Sequence, residues 1–160
     1  IDYAKVLLFL KVDFRVIGRG EDSAQRFEEA TSVPVQTGGL ELALSRNEAP
    51  EIVIVAVGIE QLAQTTKLLI KAGTQRILLE KPGGLSVAEL SELNQQAIAA
   101  RAEVSLAYNR RFYASTLRAE ELINEDGGLT SFHFEFTEWS HKIPRQPRLP
   151  TVLCCYRRGS

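Results

Sequence analysis

Over the first 125 residues, short apolar runs alternate with helical patterns, and this alternation restricts the chain to few architectures. "FRVIG" (14–18), "EIVIVAVG" (51–58), "RILLE" (76–80) and "EVSLAY" (103–108) read as strands, with a weaker candidate at "VPVQ" (33–36). Between and after them stand "EDSAQRFEEA", "LELALSR", "EQLAQTTKLLIKAG" and "SVAELSELNQQAIAARA", whose apolar residues recur at helical intervals. A helix between successive strands makes each connection a crossover. The expected fold is therefore α/β, a doubly wound parallel sheet covered on both faces, with the strands ending at Gly18, Gly58, Glu80 and Tyr108 side by side in one sheet.

The fourth strand run ends abruptly in Glu80, Lys81, Pro82, Gly83 and Gly84. Proline and paired glycines stop a strand. Ser86 and Glu89 then have capping-box spacing, and Val87, Leu90, Leu93, Ala97 and Ile98 predict one apolar helix face. Lys81 thus belongs to a strand-to-helix turn. At the other end of the chain "IDYAKVLLFLKV", with Tyr3, Val6, Leu7 and Leu10, reads as a helix already under way, so the N-terminus is expected to be cut and a preceding strand and glycine turn to be missing. After Tyr108 a helix is expected over about 113–124, ending near Gly127 and Gly128. "SFHFEFTEW" next alternates Phe132, Phe134 and Phe136 against His133, Glu135 and Thr137, the pattern of a half-exposed antiparallel strand. The division expected is a partial dinucleotide-binding domain over 1–110, the beginning of an α+β substrate domain over 111–143, and a displaced or disordered tail over 144–160.

With 160 residues and 44% hydrophobic content the chain can bury one core, and no run approaches a membrane span. Asp2 and Lys5 interrupt the first apolar run, so no signal peptide is read and a cytoplasmic location is expected. The net charge of -1 hides an uneven distribution: residues 142–160 carry five Lys or Arg, three Pro and no acid. That segment lacks the regular aromatic interleaving of a nucleic-acid surface, and no nucleic-acid partner is expected. Cys154 and Cys155 are adjacent, which suits neither a disulfide framework nor a zinc knuckle. His133 and His141 have no metal-ligand partner at useful spacing and read as structural; no metal is expected.

In open parallel sheets ligands bind beyond the carboxyl ends of the strands. Those ends offer Gly18-Arg19-Gly20, Val57-Gly58, Glu80-Lys81-Pro82-Gly83 and Tyr108-Asn109-Arg110-Arg111, small residues that admit a ligand beside cations that attract an anion. Singly, each reads as a turn glycine or a solvated arginine; their coincidence on one edge points to a site. "GRGEDS" resembles a degraded G-x-G-x-x-G, but Glu21 and Asp22 at the start of the following helix would repel a phosphate there. "FRVIG" reads better as the second strand of a dinucleotide fold, whose end meets the adenosine ribose. Arg19 at that end, where an acid would take the 2'-hydroxyl, suits a 2'-phosphate and favours NADP over NAD.

"LLEKPGGLSVAELSEL" followed by "AYNRRF", with "IVIVAVG" upstream and "FTEWSHKI" downstream, resembles the Gfo/Idh/MocA family of NAD(P)-dependent oxidoreductases over roughly residues 1–143. The resemblance implies a Rossmann-like fold, a lysine equivalent to Lys81 beside nicotinamide and substrate, a Lys81–Pro82 bond that is commonly cis, and Glu80, Asn109 and Arg111 near the cofactor. It also implies a sugar, polyol or similar small carbonyl substrate; a homo-oligomer is an open expectation. Gly58 departs from the family's usual proline and Leu62 from a common histidine. Lys81, directed by Pro82, would donate a proton to the substrate oxygen or stabilise alkoxide charge during hydride transfer, since burial readily lowers a lysine's pKa. With the glycine turn and most of the second domain missing, the chain is expected to be inactive as it stands. The alternative is a catalytically silent binding or assembly module on the same fold.

Overall fold

A computed structural model of the chain describes residues 1–133 and 135. In chain order the elements are α1 (Asp2–Phe9), β1 (Val16–Ile17), α2 (Glu21–Thr31), β2 (Val35–Gln36), α3 (Gly39–Arg46), β3 (Ile52–Val55), α4 (Leu62–Ala72), β4 (Arg76–Leu79), α5 (Val87–Ala100), β5 (Glu103–Leu106) and α6 (Ala114–Glu125), with 3-10 turns at Ile59–Gln61 and Asn109–Phe112. Every strand is parallel to its neighbour, as the helical crossovers require.

The five strands do not form the single sheet expected. β1 pairs with β2 (Val16 with Val35, Ile17 with Gln36), while β3, β4 and β5 make a separate sheet in that order. The cause lies in the pairing partners. β1 bonds only to β2 and β3 only to β4, and no strand among the described residues stands between β1 and β3 to carry hydrogen bonds across. The strands are also shorter than the apolar runs that contain them, because a ladder extends only as far as both partners do.

β4 is the middle strand of the larger sheet, with Arg76 opposite Ile52 and Glu103, and Leu79 opposite Val55 and Leu106. Its inward residues Ile77 and Leu79 are buried with Val55 against Leu62, Ala63, Leu69 and Ile70 of α4 and Leu93 and Ala97 of α5. α4 stops where Gly73 takes φ +102°, and α5 starts where the Ser86 hydroxyl accepts from the Glu89 amide at 3.2 Å. Glu89 departs from the reciprocal box: its Oε2 accepts from the Leu85 amide at 2.6 Å instead. The expected α5 face is narrower than read, since Val87 and Ile98 are exposed. Here β4 and β5 are four residues long against fourteen for α5, and residues near the two ends of the helix reach past the strands.

α6 has no buried residue; Leu117 and Leu122 stay exposed. Of the strand expected at 131–139, residues 131–133 and 135 are not in a strand, and Phe132 is 81% exposed rather than turned inward. The rest of that segment, His141, Cys154, Cys155 and the tail over 144–160 lie outside the described residues. No helix among the described residues is long and apolar enough to cross a membrane.

Leu79 is fully enclosed between the two helices and both flanking strands. Leu79→Ala is expected to cost about 2 to 5 kcal/mol of unfolding free energy, read from urea denaturation followed by circular dichroism.

Candidate cofactor and active-site edge

The end of β4 is held from both sides: the Glu80 amide donates to the Val55 carbonyl at 3.0 Å, and the Ala107 amide to the Leu79 carbonyl at 2.9 Å. The chain therefore leaves the sheet at a fixed point and direction. The Lys81–Pro82 peptide that follows is cis, and Gly83 takes φ +87° with its missing Cβ position 2.7 Å from Leu106 Cδ2. The turn backbone lies directly on the core, and Lys81 is left exposed at the rim.

Glu80 is half-buried and accepts with both oxygens. Oε1 receives the Tyr3 hydroxyl at 2.7 Å, and Oε2 the Lys81 backbone amide at 3.0 Å. Burial pushes the Tyr3 hydroxyl up from about 10 to about 12, helped by the hydrogen bond to Glu80 and by that residue's negative charge. Lys81 takes part in no ion pair among the described residues.

At the end of β1, Arg19 donates from Nη2 to Gln61 Oε1 at 2.9 Å. Gln61 closes the 3-10 turn after Val57 and Gly58, and its amide donates to the Gly58 carbonyl at 2.8 Å. A side-chain bond thus joins the ends of β1 and β3, between which no backbone bond runs among the described residues, bringing Gly18-Arg19 to Val57-Gly58. Gly18 also serves packing, because a Cβ there would stand 2.9 Å from Val35 Cγ1. Gly20, Glu21 and Asp22 open α2 as a helix start with acids in its first turn.

Asn109 and Arg111 lie in the exposed 3-10 turn that follows β5. The Arg111 guanidinium sits 4.6 Å from the Phe112 ring centroid, a cation–π distance. No hydrogen bond or ion pair among the described residues joins either to Glu80 or Lys81. Leu62, in the place of a common family histidine, is 1% exposed and belongs to the core. His133 is exposed. Among the described residues no three His, Cys, Asp or Glu side chains are grouped to hold a metal ion. A shallow concavity of about 690 Å³ between α4 and α5, bordered by Lys67, Lys71 and Gln96, is lined by helix residues alone and includes none of the strand-end groups.

Tyr3 and Gln61 are the residues that sequence reasoning missed. Tyr3 counts only as a helix apolar position, and its partner is 77 residues away. Gln61 stands in a helical pattern where an amide attracts no notice.

The Gfo/Idh/MocA family model, an oxidoreductase family with an NAD-binding Rossmann fold, matches residues 14–108. The chain belongs to this family. Among solved structures it is similar to GenD2 from gentamicin A biosynthesis, crystallised in complex with NAD, at 26% identity and TM-score 0.68 over 82% of this chain and 37% of that one. It also resembles WlbA from Chromobacterium violaceum (16% identity, TM-score 0.68, 78% of this chain, 36% of that one) and WlbA from Bordetella pertussis (14%, 0.65, 77% and 37%), both in complex with NADH and UDP-GlcNAcA. At those identities the WlbA likeness is one of fold. No curated protein sequence matches the chain. The chain spans just over a third of the length of these structures.

Tyr3 holds its proton more tightly folded than unfolded, so its contribution to stability is complete below pH 10 and is lost as the pH rises from about 10 to about 12. The stability difference between the wild type and Tyr3→Phe is therefore expected to shrink across that window, measured by denaturant unfolding at stepped pH. A constant difference would detach Tyr3 from Glu80.

Proposed function

We propose that this chain binds a nicotinamide dinucleotide along the carboxyl ends of its strands and serves hydride transfer to or from a sugar, polyol or related small carbonyl compound. The observation that carries the reading is the coincidence, on that edge, of two cations free of carboxylate partners among the described residues, Arg19 and Lys81, with small residues between them. On this reading the residues divide between the two ends of an extended dinucleotide. Arg19, Gly18, Val57 and Gly58 would hold the adenosine side; Glu80, Lys81, Pro82, Asn109 and Arg111 would hold the nicotinamide side. The bound cofactor supplies the hydride chemistry.

Arg19 spends one guanidinium nitrogen on a neutral amide oxygen and keeps its charge, which suits the 2'-phosphate of NADP. NAD remains the alternative, the form found in the GenD2 crystal. Lys81 would face the reacting oxygen and give it a proton, or stabilise the charge that develops on it. The second domain of the reading begins after residue 110: α6 leaves its apolar residues exposed, as a helix awaiting a neighbour does. Steady turnover by the 160 residues alone is not expected, since Tyr3 and Glu80 are the only titratable side chains hydrogen-bonded at Glu80 or Lys81 among the described residues.

Titration with NADPH and NADH, followed by cofactor fluorescence, tests the reading. Arg19→Ala is expected to weaken NADPH by about 10- to 100-fold, the equivalent of a charged hydrogen bond, and to change NADH much less. Equal losses would remove Arg19 from the phosphate, and no binding of either cofactor would favour the silent module. In a protein that turns over, Lys81→Ala is expected to lower kcat by about 10²- to 10⁴-fold, checked by absorbance at the NADPH band with polyols and keto sugars.

A further inference from the structure

Glu80 and Lys81 are consecutive, oppositely charged and on the same turn, yet they form no ion pair with each other. The partners of Glu80 account for this. Its Oε1 accepts from the Tyr3 hydroxyl at 2.7 Å and its Oε2 from the Lys81 backbone amide at 3.0 Å, so the carboxylate is oriented by α1 and the main chain rather than by the Lys81 ammonium. We infer that Tyr3 is a positioning residue: by holding the Glu80 carboxylate toward α1, it keeps the Lys81 ammonium unpaired and available to an oxygen-bearing ligand at the strand ends. The inference rests on the reading of Lys81 as the group that faces substrate.

Three observations support it. Tyr3 lies in the first turn of α1, so Oε1 of Glu80 is held from an element 77 residues away in sequence and not from the Lys81 turn. The hydroxyl keeps its proton to about pH 12, so it remains a donor throughout the working range of an enzyme. Glu80 is half-buried, and a carboxylate in such a place takes a donor wherever one is within reach. Without the hydroxyl, Oε1 loses its partner, and the ammonium of the next residue in sequence becomes a candidate for it. The pair that then forms would offset the Lys81 charge.

Lysine carbon-13 labelling lets the Lys81 ammonium be titrated by NMR in the intact chain, its resonance assigned by loss in Lys81→Arg. In Tyr3→Phe the Lys81 midpoint is expected to rise by about 0.3 to 0.7 of a pH unit, the range of an exposed ion pair. Adding Glu80→Gln to that variant is expected to cancel the rise. In the Tyr3 background Glu80→Gln alone is expected to leave the midpoint within about 0.2 of a unit, less than a formed pair gives, and this arm does not depend on the folding of Tyr3→Phe. Equal effects of Glu80→Gln in both backgrounds, or a large one in the Tyr3 background, would overturn the inference, because a merely structural tyrosine changes melting but not this coupling. Cofactor titration of the wild type is read separately. A chain that binds neither NADH nor NADPH defeats the cofactor reading and leaves the Lys81 midpoints to decide the role of Tyr3.

Discussion

β4 is hydrogen-bonded on both sides and buried at Ile77 and Leu79, and the candidate site inherits its precision from that strand. A middle strand in a parallel sheet cannot slide without breaking two ladders and turning its apolar residues out of the core. Glu80 is still bonded to Val55 through its amide, so the first residue that leaves the sheet does so at a defined height. Lys81 is exposed, but it is exposed from a rigid base. This is the usual way a fold reconciles an accessible functional group with an ordered position.

Two side-chain bonds extend that order beyond the sheet. Tyr3 to Glu80 ties α1 to the end of β4, and Arg19 to Gln61 ties the end of β1 to the turn after β3. Neither would rank high as a source of stability, since hydrogen bonds of this type contribute only about 1 kcal/mol or somewhat more. Their effect is on arrangement. They join groups from four segments, and among the described residues neither Arg19 nor Lys81 is paired with a carboxylate.

Much of this was legible in the sequence because it rests on periodicity and turn chemistry. "RILLE" before Pro82 and two glycines could only be a strand that stops, and Ser86 three residues before Glu89 marked the start of α5. The parallel direction followed from helices placed between strands. What periodicity could not carry was partnership across the chain. Nothing in "FRVIG" says whether its second edge is paired, so one sheet was expected where two are found. Tyr3 and Gln61 escaped for the same reason, since each matters through a partner dozens of residues away. Val87 and Ile98 were misassigned to the core because a helical wheel does not know how long the strands beneath it are.

The one-sided pairing of β3 also sets a clock. The carbonyls of Glu51 and Val55 accept from β4, and successive residues of a strand alternate sides, so the amides of Ile52 and Ile54 point away from β4. Among the described residues nothing accepts from them on that side. With only the described residues around them, these two amides are expected to exchange ahead of those of Val53 and Val55, which wait for β3 and β4 to part. A strand of four residues keeps two times at once, and the fast one measures how much of its edge is still in water.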